Sequence, residues 1–209
     1  MYFLRDILKI YIKLLLHRGV TVSYSQFGED AVVQHILQKK SGIYVDVGAY
    51  HPVLYSNTYA LYKRGWKGVV IEPNPAAQKL FTWFRSRDTF VHSAVGEAGS
   101  NTYYQYNDAA YNSIGTPAPE RRGLHLVQTS TISIQPLSHI LSEVGPIDFM
   151  SVDVEGMDLE VLQTHNWSNK PTVIAVEGNI GDPTSVFLKD KGYTLSGLAG
   201  LTMIFTLSS

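Results

Sequence analysis

The chain has 209 residues, of which 44% are hydrophobic and 17% charged, with a formal net charge of -1 and no cysteine. Such a composition suits a folded globular protein with a substantial core. It gives no electrostatic case for nucleic-acid binding. It excludes disulfides and thiolate chemistry, which fits a reducing compartment and a cytoplasmic location.

Residues 1–18 place Arg5, Lys9, Lys13 and His17 at four-residue spacing, one stripe of a helix. Phe3, Leu4, Ile7, Leu8, Tyr11, Leu14 and Leu15 cover the opposite side. Charges interrupt the apolar run too often for a membrane span, and no cleavable leader pattern follows. Two readings stand for this amphipathic helix. It covers the edge of the domain, or it lies on an anionic membrane surface as a peripheral contact. Gly19 ends it, so residues 1–20 are set apart from a domain over 21–209.

Ser25-Gln26-Phe27-Gly28-Glu29-Asp30 leads into a short amphipathic helix over 31–38, and Ser25 with Asp30 reads as helix-start chemistry. The run 43–47 is a nearly continuous apolar strand of the kind buried on both faces of a parallel sheet. Asp46 interrupts it and Gly48 follows. A charge there is costly without a partner, so a ligand or a backbone turn is implied. A helix is expected over 55–64, with Ser56, Asn57 and Thr58 in its first turn and Gly65 at its end.

The second strand covers 68–71 and runs into Glu72-Pro73, a helix follows over 76–87, and a third strand is expected over 89–95 with Ser93-Ala94 at its end. Asn101 to Tyr106 and Val127 to Ile134 read as an antiparallel excursion around a long loop, 107–123, that closes over a substrate. A strand over 147–152 runs into Asp153-Val154-Glu155-Gly156, with a helix over 157–164 after it. The strand 172–176 ends in Glu177, a helix covers 183–191, and strands over 193–196 and 202–207 close the chain as an antiparallel pair. This alternation predicts an α/β, Rossmann-like fold: a seven-stranded, mostly parallel sheet with helices on both faces.

Asp46, Glu72, Asp153 and Glu177 each fall at the C-terminal end of an expected strand. In a parallel sheet those ends share one edge, where ligands bind. Four acids in one cleft repel one another, and hydroxyls, a cation or shared protons must relieve them. A nucleoside, a sugar polyol or a sulfonium meets that need. The chain carries no Gly-x-Gly-x-x-Gly, no phosphate-binding Gly-x-x-x-x-Gly-Lys, no Gly-x-Ser-x-Gly and no His-Glu-x-x-His. The missing glycine fingerprint argues against a dinucleotide enzyme.

Segments Ser25–Asp30, Tyr44–Pro52, Ser56–Thr58, Glu72–Pro75, Asn112-Ser113, Asp148–Leu162 and Leu201–Phe205 together resemble the FkbM-type family of S-adenosylmethionine-dependent methyltransferases. The resemblance runs from about residue 24 to the end. It implies a class I methyltransferase fold with strand order 3-2-1-4-5-7-6, and O-methylation of a sugar, glycan or secondary metabolite. Asp46, Gly48 and Ala49 would hold the methionine part of the donor, Glu72 its ribose, and Ser93 with Ala94 would border its adenine. Gln26, Tyr50, Asn57, Pro73 and Asp153 join this cofactor-binding set, while Asn112, Ser113 and Glu177 fall on the acceptor side. Two departures stand out: Glu72-Pro73 replaces the Asp-Ala common in this branch, and Ser151 stands where many relatives have lysine.

Methyl transfer to a hydroxyl needs a base, and His51, Asp153 and Glu155 are the candidates. A second route uses magnesium held by Asp153, Glu177 and Asn179. Tyr103, Tyr104, Tyr106 and Tyr111 either stack on sugar faces or pack the excursion onto the domain. A non-catalytic, cofactor-binding interaction subunit is the alternative function.

Overall fold

The computed structural model describes residues 9, 12 and 22–208. The helix expected over 1–18, and the membrane contact expected of it, lie outside the described residues. Among the described residues no helix is long and apolar enough to cross a membrane.

The first helix, α1 (Glu29–Leu37), starts on its own acids. Asp30 accepts from the Tyr24 N–H at 2.8 Å and from the Ser23 and Ser25 hydroxyls at 2.7 and 3.0 Å. Glu29 accepts from the Phe27 N–H at 2.8 Å. Both carboxylates are buried, so the Ser25–Asp30 motif fastens the chain ahead of the helix.

Strand β1 (Ile43–Val47), helix α2 (Tyr59–Lys63), β2 (Lys67–Ile71), α3 (Pro75–Phe84) and β3 (Thr89–Val91) form the first half of the main sheet. After four intervening strands, β4 (Ala94–Val95), β5 (Gly99–Tyr106), β6 (Ser113–Ile114) and β7 (Leu126–Gln135), its second half is built from α4 (Leu137–Ile140), β8 (Phe149–Val152), α5 (Asp158–Gln163), β9 (Val173–Glu177), α6 (Pro183–Asp190), β10 (Tyr193–Ala199) and β11 (Thr202–Leu207). The seven strands lie in the order β10-β11-β9-β8-β1-β2-β3, the order expected of a class I methyltransferase read from the other edge. β3, β2, β1, β8 and β9 pair in parallel, whereas β11 is antiparallel to both β9 and β10.

Strand alternation divides the core into two layers. Val45, Val47, Met150, Val152, Ile174 and Val176 point to one face, where Leu137, Val161, Leu162 and Leu188 cover them. Tyr44, Phe149, Val173 and Ala175 point to the other, beneath Val33, Leu61, Trp66 and Phe81. Gly68 lies in β2 where a Cβ would overlap the Tyr44 ring and carbonyl, so only glycine lets these strands meet there.

The excursion forms a second sheet from β4 (Ala94–Val95), β5 (Gly99–Tyr106), β6 (Ser113–Ile114) and β7 (Leu126–Gln135), in the order β4-β7-β5-β6. Several expectations need correction here. The strand expected over 89–95 is two strands in two sheets. The Ser93 hydroxyl donates to the Ser133 carbonyl at 3.0 Å and accepts from the Gln135 amide at 3.3 Å, drawing the chain across to β7. The loop expected over 107–123 contains a 3-10 turn, Ala109–Tyr111, and β6. Helix α2 begins only at Tyr59, so Ser56, Asn57 and Thr58 precede it instead of forming its first turn.

Within the fold Asp46 has two partners, the Thr58 hydroxyl and Arg85, at the C-terminal cap of α3. Its guanidinium is wholly buried, with Nε 2.6 Å from Asp88 and Nη1 3.8 Å from Asp46. Asp88 also accepts from the Tyr44 hydroxyl at 2.7 Å and the Gly68 N–H at 3.0 Å. Thr58 donates to Asp46 from the other side. Removing the cation alone would strand two buried carboxylates. Arg85→Met is therefore expected to lower unfolding stability by about 3–5 kcal/mol, read from the urea midpoint. A loss below about 1 kcal/mol would show that the network contributes little net stability.

Candidate functional site

Register builds the site. Val47 stands opposite Ile71 on β2 and Val152 on β8, and Val152 stands opposite Val176 on β9. The next residue on each strand therefore falls in one row across the sheet edge: Glu72, Gly48, Asp153 and Glu177. Asp46 lies one residue below that row.

Gly48 turns the chain at φ 77°, and its N–H and that of Ala49 both donate to the Ile71 carbonyl, at 3.0 and 3.2 Å. A Cβ on Gly48 would overlap the carbonyl oxygen of Asp153, while the Asp153 N–H donates to the Val47 carbonyl at 3.0 Å. The turn after β1 is thus pressed onto the end of β8.

On one side of this turn sits Glu72, which is 7% exposed. Its two oxygens accept from the Tyr50 N–H at 2.9 Å and the Asn74 N–H at 2.7 Å. Burial raises its carboxyl above the usual range against the pull of those two bonds. Tyr50 holds φ 48°, which fixes its N–H on Glu72 while its ring stays largely in solvent. Burial and the nearby Glu72 charge push the Tyr103 hydroxyl up, and Asn112 donates to that hydroxyl at 2.9 Å. Tyr103 is a core residue of the second sheet, so for this tyrosine the packing reading holds.

On the other side lies Asp153. By its surface Asp153 is an exposed residue, yet many protein atoms crowd its carboxyl. Burial, followed by the charges of Glu177, Glu155, Asp158 and Asp46, raises it to about 7. Burial and Glu155 raise Glu177 as well. The Asp153–Gly156 turn is tight: Glu155 holds φ 53° and Gly156 φ 87°. Asp158 accepts from the Val154 N–H at 3.2 Å, and burial lifts its carboxyl to about 6. Beside this turn Glu155, Asp158, Glu177, Asp182 and Thr184 line a cavity of about 420 Å³.

The other expected residues divide. Asn57 donates to the Ser151 hydroxyl at 3.0 Å, level with Asp46 on the neighbouring strand. His51 is half-buried, and its Nδ1 accepts from the Val53 and Leu54 N–H groups at 3.1 and 3.0 Å. The neutral ring therefore carries its proton on Nε2. The Ser93 hydroxyl is committed to β7 and fully buried, and Ala94 is buried beside it. The Pro73 carbonyl accepts from His92 at 2.9 Å. Gln26 is exposed in the turn before α1, and the Ser113 hydroxyl donates to the Thr116 carbonyl at 2.8 Å. Among the described residues no group of three or more histidine, aspartate or glutamate side chains is arranged to hold a metal ion. Arg85 and Asp158 were missed from the sequence, because each acts through contacts that no local pattern announces.

A family model described as the methyltransferase FkbM domain matches residues 46–194. No curated protein matches the chain. Among solved structures, Escherichia coli yhhF, described as a methyltransferase, is 15% identical with a TM-score of 0.50, covering 91% of this chain and 90% of that one. The Geobacter metallireducens precorrin-6y C5,15-methyltransferase is 14% identical with a TM-score of 0.47 over 86% and 87% of the two chains. The Burkholderia thailandensis 1,6-didemethyltoxoflavin-N1-methyltransferase, solved with S-adenosylhomocysteine, is 11% identical with a TM-score of 0.47 over 96% and 86%. The match to yhhF shows the fold alone.

Asp153 gives the site a stability signature. A carboxyl raised from 3.8 to about 7 holds its proton longer folded than unfolded. Stability is thus lost as pH rises through that window. Asp153→Asn removes the penalty, so its melting temperature is expected to exceed that of the parent at pH 8 and to equal it near pH 4. Equal melting at both pH values would show that Asp153 carries no such strain.

Proposed function

The chain belongs to the FkbM methyltransferase family, and from that premise we propose that it transfers a methyl group from S-adenosylmethionine to a hydroxyl oxygen of a small polyhydroxylated acceptor, a sugar or glycan foremost, with Asp153 as the base. The observation that carries this reading is the row Glu72-Gly48-Asp153-Glu177, where an acid raised to about 7 stands beside a turn with no side chain.

The residues present fit the donor. S-adenosylmethionine carries a ribose diol, an ammonium and a sulfonium, three groups that carboxylates complement. Glu72 keeps a lone pair on each oxygen after its two backbone bonds, as a ribose diol requires. Asp46 uses Oδ2 for Thr58 and Arg85, and Oδ1 carries no hydrogen bond among the described residues, which suits the ammonium. Gly48 and Ala49 give the methionine part an approach along bare backbone. When bound, the donor supplies an electrophilic methyl group on a positively charged sulfur.

The chain's own groups then supply position and a proton acceptor. Asp153 takes the hydroxyl proton as the oxygen attacks, because a base is most effective when its pKa lies near the working pH. Burial, with the charges of Glu177 and Glu155, keeps it there. His51 presents an N–H instead of a lone pair, so it serves as a donor to the acceptor or the donor's carboxylate, not as the base. The acidic cavity beside the Asp153–Gly156 turn offers several acceptors for sugar hydroxyls.

The test is methyl transfer to a panel of monosaccharides and oligosaccharides, followed as S-adenosylhomocysteine release, with the product's methyl located by NMR. On any acceptor that turns over, kcat/KM should rise tenfold per pH unit and level off near pH 7. Asp153→Asn should lower kcat about 10²–10⁴-fold while S-adenosylhomocysteine affinity changes only a few-fold. A product methylated on nitrogen or carbon defeats the proposal, and full activity in Asp153→Asn removes the base.

A further inference from the structure

A net charge of -1 conceals a strong separation of charge along the strands. At the edge that carries the acid row, the stretches 48–58, 72–75, 153–157, 177–182 and 199–202 contain no lysine or arginine. The opposite edge, where β1 and β2 begin, is basic. We propose that this basic edge, together with the outer face of α3, seats the protein on an anionic lipid surface. The acid row then faces away from the bilayer, open to soluble donor and acceptor.

Contacts within the fold hold the cations together. Arg64 donates to the Lys39 carbonyl at 2.9 Å, which sets it beside Lys40. Arg87 donates to the Tyr62 carbonyl and lies 3.8 Å over the Tyr62 ring, next to Lys63 at the end of α2. Lys67 opens β2, and the N–H of its neighbour Gly68 donates to Asp88, one residue beyond Arg87. Lys40, Lys63, Arg64, Lys67 and Arg87 are all exposed. The acids beside them are engaged: Asp88 accepts from Arg85, Tyr44 and Gly68, and Asp148 is paired with Lys39. Glu143, in the loop ahead of β8, is exposed against those five cations.

Helix α3 adds the apolar part. It starts three residues after Glu72 and runs away from the acid row, ending at Phe84, three residues before Arg87. The following strand begins at Thr89, level with Val69 near the start of β2. The buried residues of α3 are Ala77 and Phe81. Leu80, Trp83 and Phe84 recur at three- and four-residue spacing on its outer side, and Lys79 lies one turn ahead of Trp83. Trp83 is 86% exposed, and none of the three belongs to either core layer. A cluster of bare apolar side chains beside cations marks an interaction surface. Tryptophan suits the headgroup level of a bilayer, and lysine and arginine are drawn to anionic headgroups. A second copy of this chain would set like charges face to face. A nucleic acid would use the cations and leave Leu80, Trp83 and Phe84 in water.

The experiment is co-sedimentation of the full chain with vesicles of phosphatidylcholine alone and of an equal mixture with phosphatidylserine. The parent should bind the mixed vesicles at least about tenfold more strongly, and its tryptophan emission should shift to the blue. Leu80→Ser with Phe84→Ser keeps the Trp83 probe and should lose most of the binding and the shift at an unchanged melting temperature. Lys40→Glu with Lys67→Glu should lose the preference for phosphatidylserine. Both variants retain residues 1–18, so any contact made there stays constant. No binding by the folded parent, equal binding to the two vesicles, or undiminished binding by either variant overturns the inference. Capture of double-stranded RNA without capture of vesicles overturns it in favour of a nucleic acid.

Discussion

The contact between Gly48 and the Asp153 carbonyl is the constraint on which the site depends. It leaves no space for a single methyl group on Gly48, so the turn after β1 cannot drift from the end of β8. Parallel pairing brings Val47, Ile71, Val152 and Val176 level, and the next residue of each strand inherits that alignment. Three of those four residues are acids. Their proximity is therefore imposed by backbone hydrogen bonds and packing, and the carboxylates have no freedom to separate. A site assembled this way holds its charges against their own repulsion, which adds to burial in raising the Asp153 carboxyl.

Asp46 and Asp153 show how environment divides two acids of one sequence type. Both lie at strand ends on neighbouring strands. Beneath Asp46 sits Arg85, itself braced by Asp88, Ser56 and the faces of Tyr44 and Phe81. Burial still outweighs that cation, so the Asp46 carboxyl lies above its usual range, but its charged form has partners. The charged groups that act on Asp153 are all acids. Such a locally unfavourable setting is one in which active sites tend to lie. The price is a fold that is less stable at neutral pH than its core would allow.

Much of this was legible in the sequence, and the reasons are local. Buried parallel strands read as short apolar runs, so β1, β2, β8 and β9 could be placed within a residue or two. The strand-end acids followed from those placements, and the antiparallel closing pair followed from its glycine-rich turn. Contacts between distant segments were not legible. Nothing near Asp46 pointed to Arg85, which ends a helix on the far side of β2. The 89–95 run looks like one strand because its hydrophobic pattern is continuous, yet a single serine hydroxyl bonded to β7 splits it between two sheets. Gly48 was marked as a small residue by a ligand, whereas its first duty is to admit the Asp153 carbonyl. Likewise, Ser25 to Asp30 matched a family motif, but its acids prove to be tied to the backbone and hydroxyls just ahead of α1.

The second sheet stands beside that row as a regular unit of its own. The row of acids recognises hydroxyls and positive charge, which many nucleosides and sulfonium compounds share. Discrimination needs groups whose hydrogen-bond pattern is fixed before the ligand arrives. A long hairpin supplies that better than a loop. β5 and β7 pair over eight positions, from Gly99 with Ile134 to Tyr106 with Leu126. The Ser93 hydroxyl ties the chain leaving β3 to β7, and the buried Tyr103, Ile132 and Ala94 pack the sheet against itself. The only irregularity in the pairing of β5 with β7 falls between Gln105 and Tyr106, where a bulge re-aims the side chains. Gln105 Oε1 is buried there without a hydrogen-bond partner, and an unmade amide oxygen of this kind costs about 1–3 kcal/mol.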